Sequence, residues 1–285
     1  MMGLQKSKFV KILVEILCLI ILAALLILTN FYIDPHNRGF FCNDQTIMYP
    51  RIKKEIISIL TLGIIALIIL SLIIIGEIFH ARKTRSSQQL LTFKVPNWIT
   101  LIYHKAGTYL IGAITTVLIG DVIKLTIGRL RPHFWDVCVP NIDCNLATNL
   151  NRYFGPGEFA CTSNFTENDF KNARLSFPSS HSSVVTYCGV YFICYLQLRI
   201  TSRNLKMLKY FLQFIIVSVI WFVSMTRISD YFHHWSDVTV GMMIGLVNAL
   251  ITVFLIADLF HEFQGYEIKN NRNDKTTKID IHVAS

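Results

Sequence analysis

The sequence predicts an all-α fold, a bundle of six transmembrane helices, and three observations carry that prediction. Hydrophobic residues make up 53% of the chain and charged residues only 16%, too little polar surface for a soluble domain. The mean hydropathy is +0.47, and the polar residues are clustered between long apolar runs rather than interspersed with them. Several of those runs approach the ~20 residues that an α-helix needs to cross the hydrocarbon of a bilayer.

The first run, residues 12–32, is longer than the ~7–15-residue core of a cleaved signal and lacks a small-residue cleavage site, so it reads as a retained signal anchor. Five further helices are predicted over residues 56–79, 105–124, 182–198, 210–224 and 237–260. The fourth and fifth are short or interrupted by polar side chains. The bundle is assigned to residues 1–265. Residues 266–285 are polar and charged without an apolar period, and are expected to form a disordered cytoplasmic tail. No internal repeat is visible.

Six crossings put both termini on one side. Lys6, Lys8 and Lys11, then Arg82, Lys83 and Arg85, then Arg199, Arg203, Lys206 and Lys209, then Lys269, Arg272, Lys275 and Lys278 all fall on that side, which the positive-inside rule makes cytoplasmic. The net charge of +9 is therefore assigned to the membrane surface and its anionic lipid rather than to nucleic acid. The opposite loops also hold Arg51, Lys53, Lys54, Arg129, Arg131 and Arg227, and those cations need a different explanation. The sequon Asn164-Phe165-Thr166 lies in the third, outer loop, where Asn164 is predicted to carry N-linked glycan. Cys42, Cys138, Cys144 and Cys161 fall in the first and third loops, an even number compatible with one or two disulfides in an oxidising compartment, their pairing open. Cys18, Cys188 and Cys194 lie in apolar helices and read as small packing residues.

Three polar clusters stand at helix ends that this topology places together on the outer side. They are Lys124 to Pro132 leaving the third helix, Pro178-Ser179-Ser180-His181-Ser182 opening the fourth, and Thr226 to Asp237 between the fifth and sixth. Lys124, Arg131 and Arg227 are cations near the membrane boundary with few carboxylates nearby, which points to a functional anion. Arginine offers a planar fork to phosphate oxygens and lysine a point charge. Ser179, with the free N–H groups opening the fourth helix, is expected to complete an anion cradle.

His233 and Asp237 are four residues apart, so one helical turn lets them meet. A carboxylate on one ring nitrogen leaves the other free to attack phosphorus, and His181, from another helix, is placed to protonate the leaving alcohol. His234 is three residues from Asp237, and spacing alone does not rank it below His233. Three alternatives stand beside this reading. Asp121 can simply pair with Lys124 three residues on, Arg129 reads as a headgroup contact, and Glu15 and Glu77 as interfacial residues. His133 lies beside the clusters with no assigned role. A zinc site built from His181, His233, His234 and Asp237 is disfavoured, because three adjacent cations would repel a metal ion.

The blocks KLTIGRLRP, PSSHS and TRISDYFHHWSD resemble the three-part motif of the type 2 phosphatidic acid phosphatase superfamily, KxxxxxxRP, PSGH and SRxxxxxHxxxD. RGFFCNDQTIMYP and GRLRPHFWDVC are similar to its lipid phosphate phosphatase branch. The resemblance runs from about Arg38 to Phe260. It implies a six-helix fold with the phosphatase site at the extracytoplasmic ends of helices three to six, and metal- and cofactor-independent hydrolysis through a phosphohistidine. The substrates it implies are phosphatidate, lysophosphatidate, sphingosine 1-phosphate and ceramide 1-phosphate, in a plasma-membrane protein that self-associates. By position, Lys124, Arg131 and Arg227 are similar to the phosphate-binding cations, Ser179 and His181 to the second-motif pair, and His233 and Asp237 to the nucleophile and its orienter. The chain departs from the pattern at Ser180, which stands where glycine is usual and is expected to sit against the phosphate, and at Thr226, which keeps a hydroxyl. A catalytically dead relative would lack the histidines or cations present here. A sugar phosphatase or head-group transferase on the same scaffold is disfavoured by the first-loop block, and a channel by ionisable residues gathered at one end.

Overall fold

The structure, a computed structural model, describes residues 2–83, 87–90 and 93–256. Within them the chain runs α1 (Met2–Phe31), β1 (Phe40–Phe41), α2 (Ile59–Lys83), β2 (Ser87–Leu90), β3 (Phe93–Pro96) and α3 (Asn97–Ile127). It continues through α4 (Phe134–Cys138), β4 (Tyr153–Phe154), α5 (Glu167–Asn172), α6 (Ser180–Arg199), α7 (Lys206–Ser229) and α8 (Trp235–Ile251). The last helix relaxes into a π-helical segment over Thr252–Ile256. The predicted tail, and the end of the predicted sixth helix at 257–260, lie outside the described residues.

The six long helices are those expected, with different ends. The third starts at Asn97 rather than 105, and the fifth runs Lys206–Ser229 rather than 210–224. Among the described residues five stretches are long and apolar enough to cross a membrane, Leu13–Phe31, Ile59–Arg82, Trp98–Ile127, Arg203–Ser229 and Trp235–Ile256. Their outward faces carry exposed Leu67, Ile68, Phe214, Phe222 and Leu255, the surface that hydrocarbon rather than water covers.

The sixth long helix, α6, is not among those five. It is the centre of the bundle, packed against α2, α3, α7 and α8, and its polar side chains are buried against partners rather than facing lipid. Tyr187 donates to the Tyr109 carbonyl (2.9 Å), Tyr191 to the Lys105 carbonyl (2.7 Å) and Tyr195 to the Ile73 carbonyl (3.3 Å). Gly241 and Gly245 let α8 lie almost against α6: a Cβ at either would stand 2.5 Å from the Ser179 carbonyl oxygen or 2.2 Å from that of Ser183, the small-residue spacing that lets membrane helices touch.

Glu77, read from sequence as interfacial, is instead fully buried in α2. It accepts from Nε and Nη2 of Arg199, at 2.8 and 2.7 Å, and so ties α2 to the end of α6. Removing one partner of a buried pair strands the other charge. Glu77→Ala is therefore expected to cost about 3–5 kcal/mol of stability. A melting temperature in detergent equal to that of the parent protein would contradict this.

At the opposite end the first and third loops fold into a cap. Strands β1 and β4 pair antiparallel, Phe40 opposite Phe154, and the disulfides Cys42–Cys144 and Cys138–Cys161 close it. Phe40, Phe134 and Phe154 fill its core with Trp135 and Phe159 against them. The first loop is strapped to the third by the Arg51–Asp169 ion pair (2.8 Å) and by the Arg51 N–H donating to Asp136 (2.8 Å).

Candidate active site

Beneath this cap lies a cavity of about 1130 Å³, where α3 ends, α6 begins and the α7–α8 turn crosses. Its polar wall includes Lys124, Arg131, Ser180, His181, Arg227 and His233, while Ile59, Leu62, Ala66, Val117 and Val184 line an apolar side running along α2.

Each cation is placed by a local device. Helix α3 stops at Gly128, which sits at φ 57° with its N–H donating to the Lys124 carbonyl. Any Cβ there would collide with the His36 carbonyl oxygen, so only glycine makes this turn. The stop leaves Lys124 in the last turn, its ammonium donating to Ser180 Oγ at 2.5 Å. Asp121 accepts from Asn30 (3.4 Å) and its charge also favours the Lys124 ammonium, while the direct hydrogen bond of that ammonium goes to Ser180. Arg131 lies over the Phe232 ring, 5.2 Å from its centroid, and its Nε is buried without a hydrogen-bond partner among the described residues. Burial lowers its pKa to about 10, which leaves it charged at neutral pH. Arg227, 1% exposed, donates to Glu55 (2.9 Å) and to Asp230 (3.1 Å). The expectation of few carboxylates near the cations is thus corrected at Arg227, because the first loop brings Glu55 back over the site.

His233 is 4% exposed and its Nδ1 donates to the Ser176 carbonyl at 2.6 Å. That bond selects the tautomer with Nε2 unprotonated. Burial holds its pKa down at about 3, so the ring is neutral at physiological pH. The expected carboxylate partner is farther away, with Asp237 Oδ2 at 3.9 Å from the same nitrogen. Asp237 accepts instead from Arg129 (2.5 Å), Ser176 Oγ (2.6 Å) and the His234 N–H (2.9 Å), with the His234 ring at 3.2 Å. The reason is the turn: His234 caps α8, so its ring, not that of His233, folds onto the carboxylate one turn in. Asp237 thereby holds the Ser176 segment whose carbonyl orients His233. Arg129, read as a headgroup contact, belongs to this network.

Ser179 and Ser180 of the second cluster have different places. Ser179 is fully buried and caps α6, its Oγ accepting from the Ser182 N–H (3.4 Å) and hydroxyl (3.0 Å), as N-cap serines do. It does not line the cavity; Ser180 does, holding Lys124. His181, in the first turn of α6, lines the cavity with a buried Nε2 that has no hydrogen-bond partner among the described residues, and burial and then Arg227 hold its pKa down at about 3.

Sequence reasoning missed Ser176 and Glu55 and left His133 unassigned. Ser176 acts through a main-chain carbonyl and has no side-chain signature. His133 is 4% exposed, its Nδ1 on the Tyr231 carbonyl at 2.8 Å, its pKa lowered to about 4 by burial and then by Arg131. It braces the turn, where Tyr231 sits at φ 55°.

The sequence model of the PAP2 superfamily matches residues 105–260, the span that contributes Lys124, Arg131, Ser180, His181, Arg227 and His233 to the cavity wall. The chain belongs to the PAP2 superfamily. It is 34% identical over 262 residues to human phospholipid phosphatase 2, covering 90% of this chain and 86% of that protein. To rat phospholipid phosphatase 1 it is 32% identical over 287 residues, covering 98% and 94%. A putative phosphatidate phosphatase of Drosophila melanogaster is 36% identical over 243 residues, covering 80% of this chain and 64% of that longer protein. No solved structure matches the chain. These relatives put it on the lipid phosphate phosphatase branch, and make it an integral membrane phosphoric monoester hydrolase.

Proposed function

We propose that this PAP2 enzyme hydrolyses the phosphate monoesters of phosphatidate, lysophosphatidate, sphingosine 1-phosphate and ceramide 1-phosphate through a phosphohistidine on His233, without a metal. The observation that carries the reading is a neutral imidazole, its Nδ1 committed to the Ser176 carbonyl, opening onto a cavity walled by Lys124, Arg131 and Arg227. His233 Nε2 attacks phosphorus as the ester P–O bond breaks. His181, held neutral by its burial, takes up a proton from solvent as the phosphate brings its negative charge into the cavity, and passes that proton to the departing alkoxide. His181 then takes a proton from the water that attacks the phosphohistidine, which releases phosphate and restores the site. The three cations stabilise the charge on the equatorial oxygens, the role a divalent ion plays elsewhere. The apolar wall along α2 suits a substrate that keeps its tail among the helices. Asp237, Ser179 and Ser180 position this machinery, Ser180 through Lys124.

The test is phosphate release from a panel of lipid phosphates by purified protein in excess EDTA. Activity is expected to persist in chelator and to be inhibited by vanadate. Loss in chelator with recovery on zinc or magnesium would overturn the metal-free scheme.

We further place the cavity on the extracytoplasmic side of the plasma membrane, with cytoplasmic termini. Asn164 is exposed on the disulfide-closed cap, while Arg82, Arg199, Arg203 and Lys206 lie at the other end. Endoglycosidase treatment is expected to shift the mobility of protein made in a secretory host, and Asn164→Gln to abolish the shift. A protease-accessible cap on the cytoplasmic side of sealed vesicles would reverse the orientation.

A further inference from the structure

One arm of the Arg227 guanidinium is already taken by a carboxylate from outside the three motifs. Arg227 Nη1 donates to Glu55 Oε2 at 2.9 Å and Nη2 to Asp230 Oδ2 at 3.1 Å. The two carboxylates are not equivalent. Asp230 is 2% exposed, three residues beyond Arg227 at the end of α7, and the same oxygen accepts the Ile56 N–H at 2.9 Å. It is a fixed neighbour. Glu55 is 34% exposed, stands on the non-helical stretch before α2, and lines the cavity together with Arg227.

The backbone around Glu55 is pinned on both sides. Arg51 is held by Asp169 and Asp136, and Ile56, the next residue, is held by Asp230. Releasing Arg227 Nη1 therefore requires only rotation of the Glu55 side chain, not opening of the loop. A phosphate that uses Arg227 must take the arm that Glu55 holds, since the other faces the buried Asp230.

We propose that Glu55 is a specificity-determining residue of this site, a carboxylate that occupies the cavity-facing arm of Arg227 and yields it only to the phosphate of a monoester. The proposal rests on the reading of Arg227 as a phosphate ligand. A monoester near neutral pH approaches two negative charges and offers three free oxygens to Arg227, Arg131 and Lys124, enough to displace one carboxylate. A phosphodiester has one charge and two blocked oxygens, and loses that exchange. Membrane phospholipids are diesters at very high local concentration, so a site opening among them gains selectivity from a built-in competitor.

The experiment compares the full-length parent protein with Glu55→Gln, Glu55→Asp and Arg227→Lys. Each is assayed for KM and kcat on lysophosphatidate, and for inhibition by inorganic phosphate and by a dialkyl phosphate. Glu55→Gln is expected to bind inorganic phosphate about tenfold more tightly, to lower KM more than it changes kcat, and to become sensitive to the dialkyl phosphate. Glu55→Asp, with the charge kept and the reach shortened, is expected to fall between Gln and the parent, and decides the matter should Glu55→Gln fail to fold. Phosphate inhibition unchanged or weaker in the variant that folds, with kcat reduced, would make Glu55 a mere support for Arg227 and overturn the proposal. Arg227→Lys with KM and phosphate inhibition both unaltered would instead remove the reading of Arg227 on which it stands.

Discussion

Replacing His233 with alanine is expected to lower turnover by on the order of 10⁴-fold or more, the scale seen when a covalent nucleophile is removed. The parent enzyme, quenched during turnover of a ³²P-labelled substrate, is expected to hold a phosphoramidate stable in alkali and labile in acid. In His233→Ala that label disappears. His234→Ala is expected to keep most activity, because the His234 ring faces Asp237 at 3.2 Å while His233 lines the cavity. A label that survives in His233→Ala and vanishes in His234→Ala would move the nucleophile by one residue. The pH profile supplies a separate check. With burial holding His233 at about 3, its protonation begins only in strong acid. An acidic limb near pH ~6 then belongs to the second ionisation of the substrate phosphate, and a substrate with a more acidic phosphate is expected to shift it.

What the residues disclose before folding, and what they conceal, follows from where each contact lies. The three motifs were legible because each sits where an apolar run ends, so charge stands out against hydrocarbon-compatible sequence: Lys124 closing α3, His181 opening α6, Arg227 closing α7. The surroundings of His233 were only half legible, since Asp237 does stand 3.9 Å from its Nδ1 but the short hydrogen bond goes to Ser176. Spacing pointed to Asp237, but a carbonyl at Ser176 has no side-chain signature, and the turn capped by His234 decides which ring meets the carboxylate. Glu55 was hidden for another reason. It follows Arg51, Lys53 and Lys54 in a basic stretch, and only the straps from Arg51 to Asp169 and from Ile56 to Asp230 bring it to Arg227. The Cys42–Cys144 pairing likewise depends on β1 meeting β4, two-residue strands more than a hundred residues apart, too short to show any period. Helix α6 looked like a poor membrane span for the same reason that it is central: its Ser, Thr and Tyr side chains satisfy neighbouring helices instead of facing lipid.

His181→Ala is expected to separate the two halves of the reaction according to the leaving group. For a lipid phosphate the departing alkoxide is strongly basic and needs a proton, so turnover is expected to fall by ~10²–10⁴-fold, the usual contribution of a general acid. For p-nitrophenyl phosphate the departing phenolate is stable without one, so His233 can be phosphorylated at close to the parent rate. The second half still needs a base for water. His181→Ala is therefore expected to release p-nitrophenolate in a burst equal to the enzyme present, then to turn over slowly, with phosphohistidine accumulating behind the burst. The placement of His181 makes the contrast informative. Its Nε2 is buried on the cavity wall without a hydrogen-bond partner among the described residues, while the opening of α6 is held by Ser179, so the alanine variant loses the proton carrier and keeps the cap. An equal loss on both substrates with no burst would show that His181 supports phosphorylation itself, through orientation or binding, and the leaving-group proton would then have to come from elsewhere in the cavity.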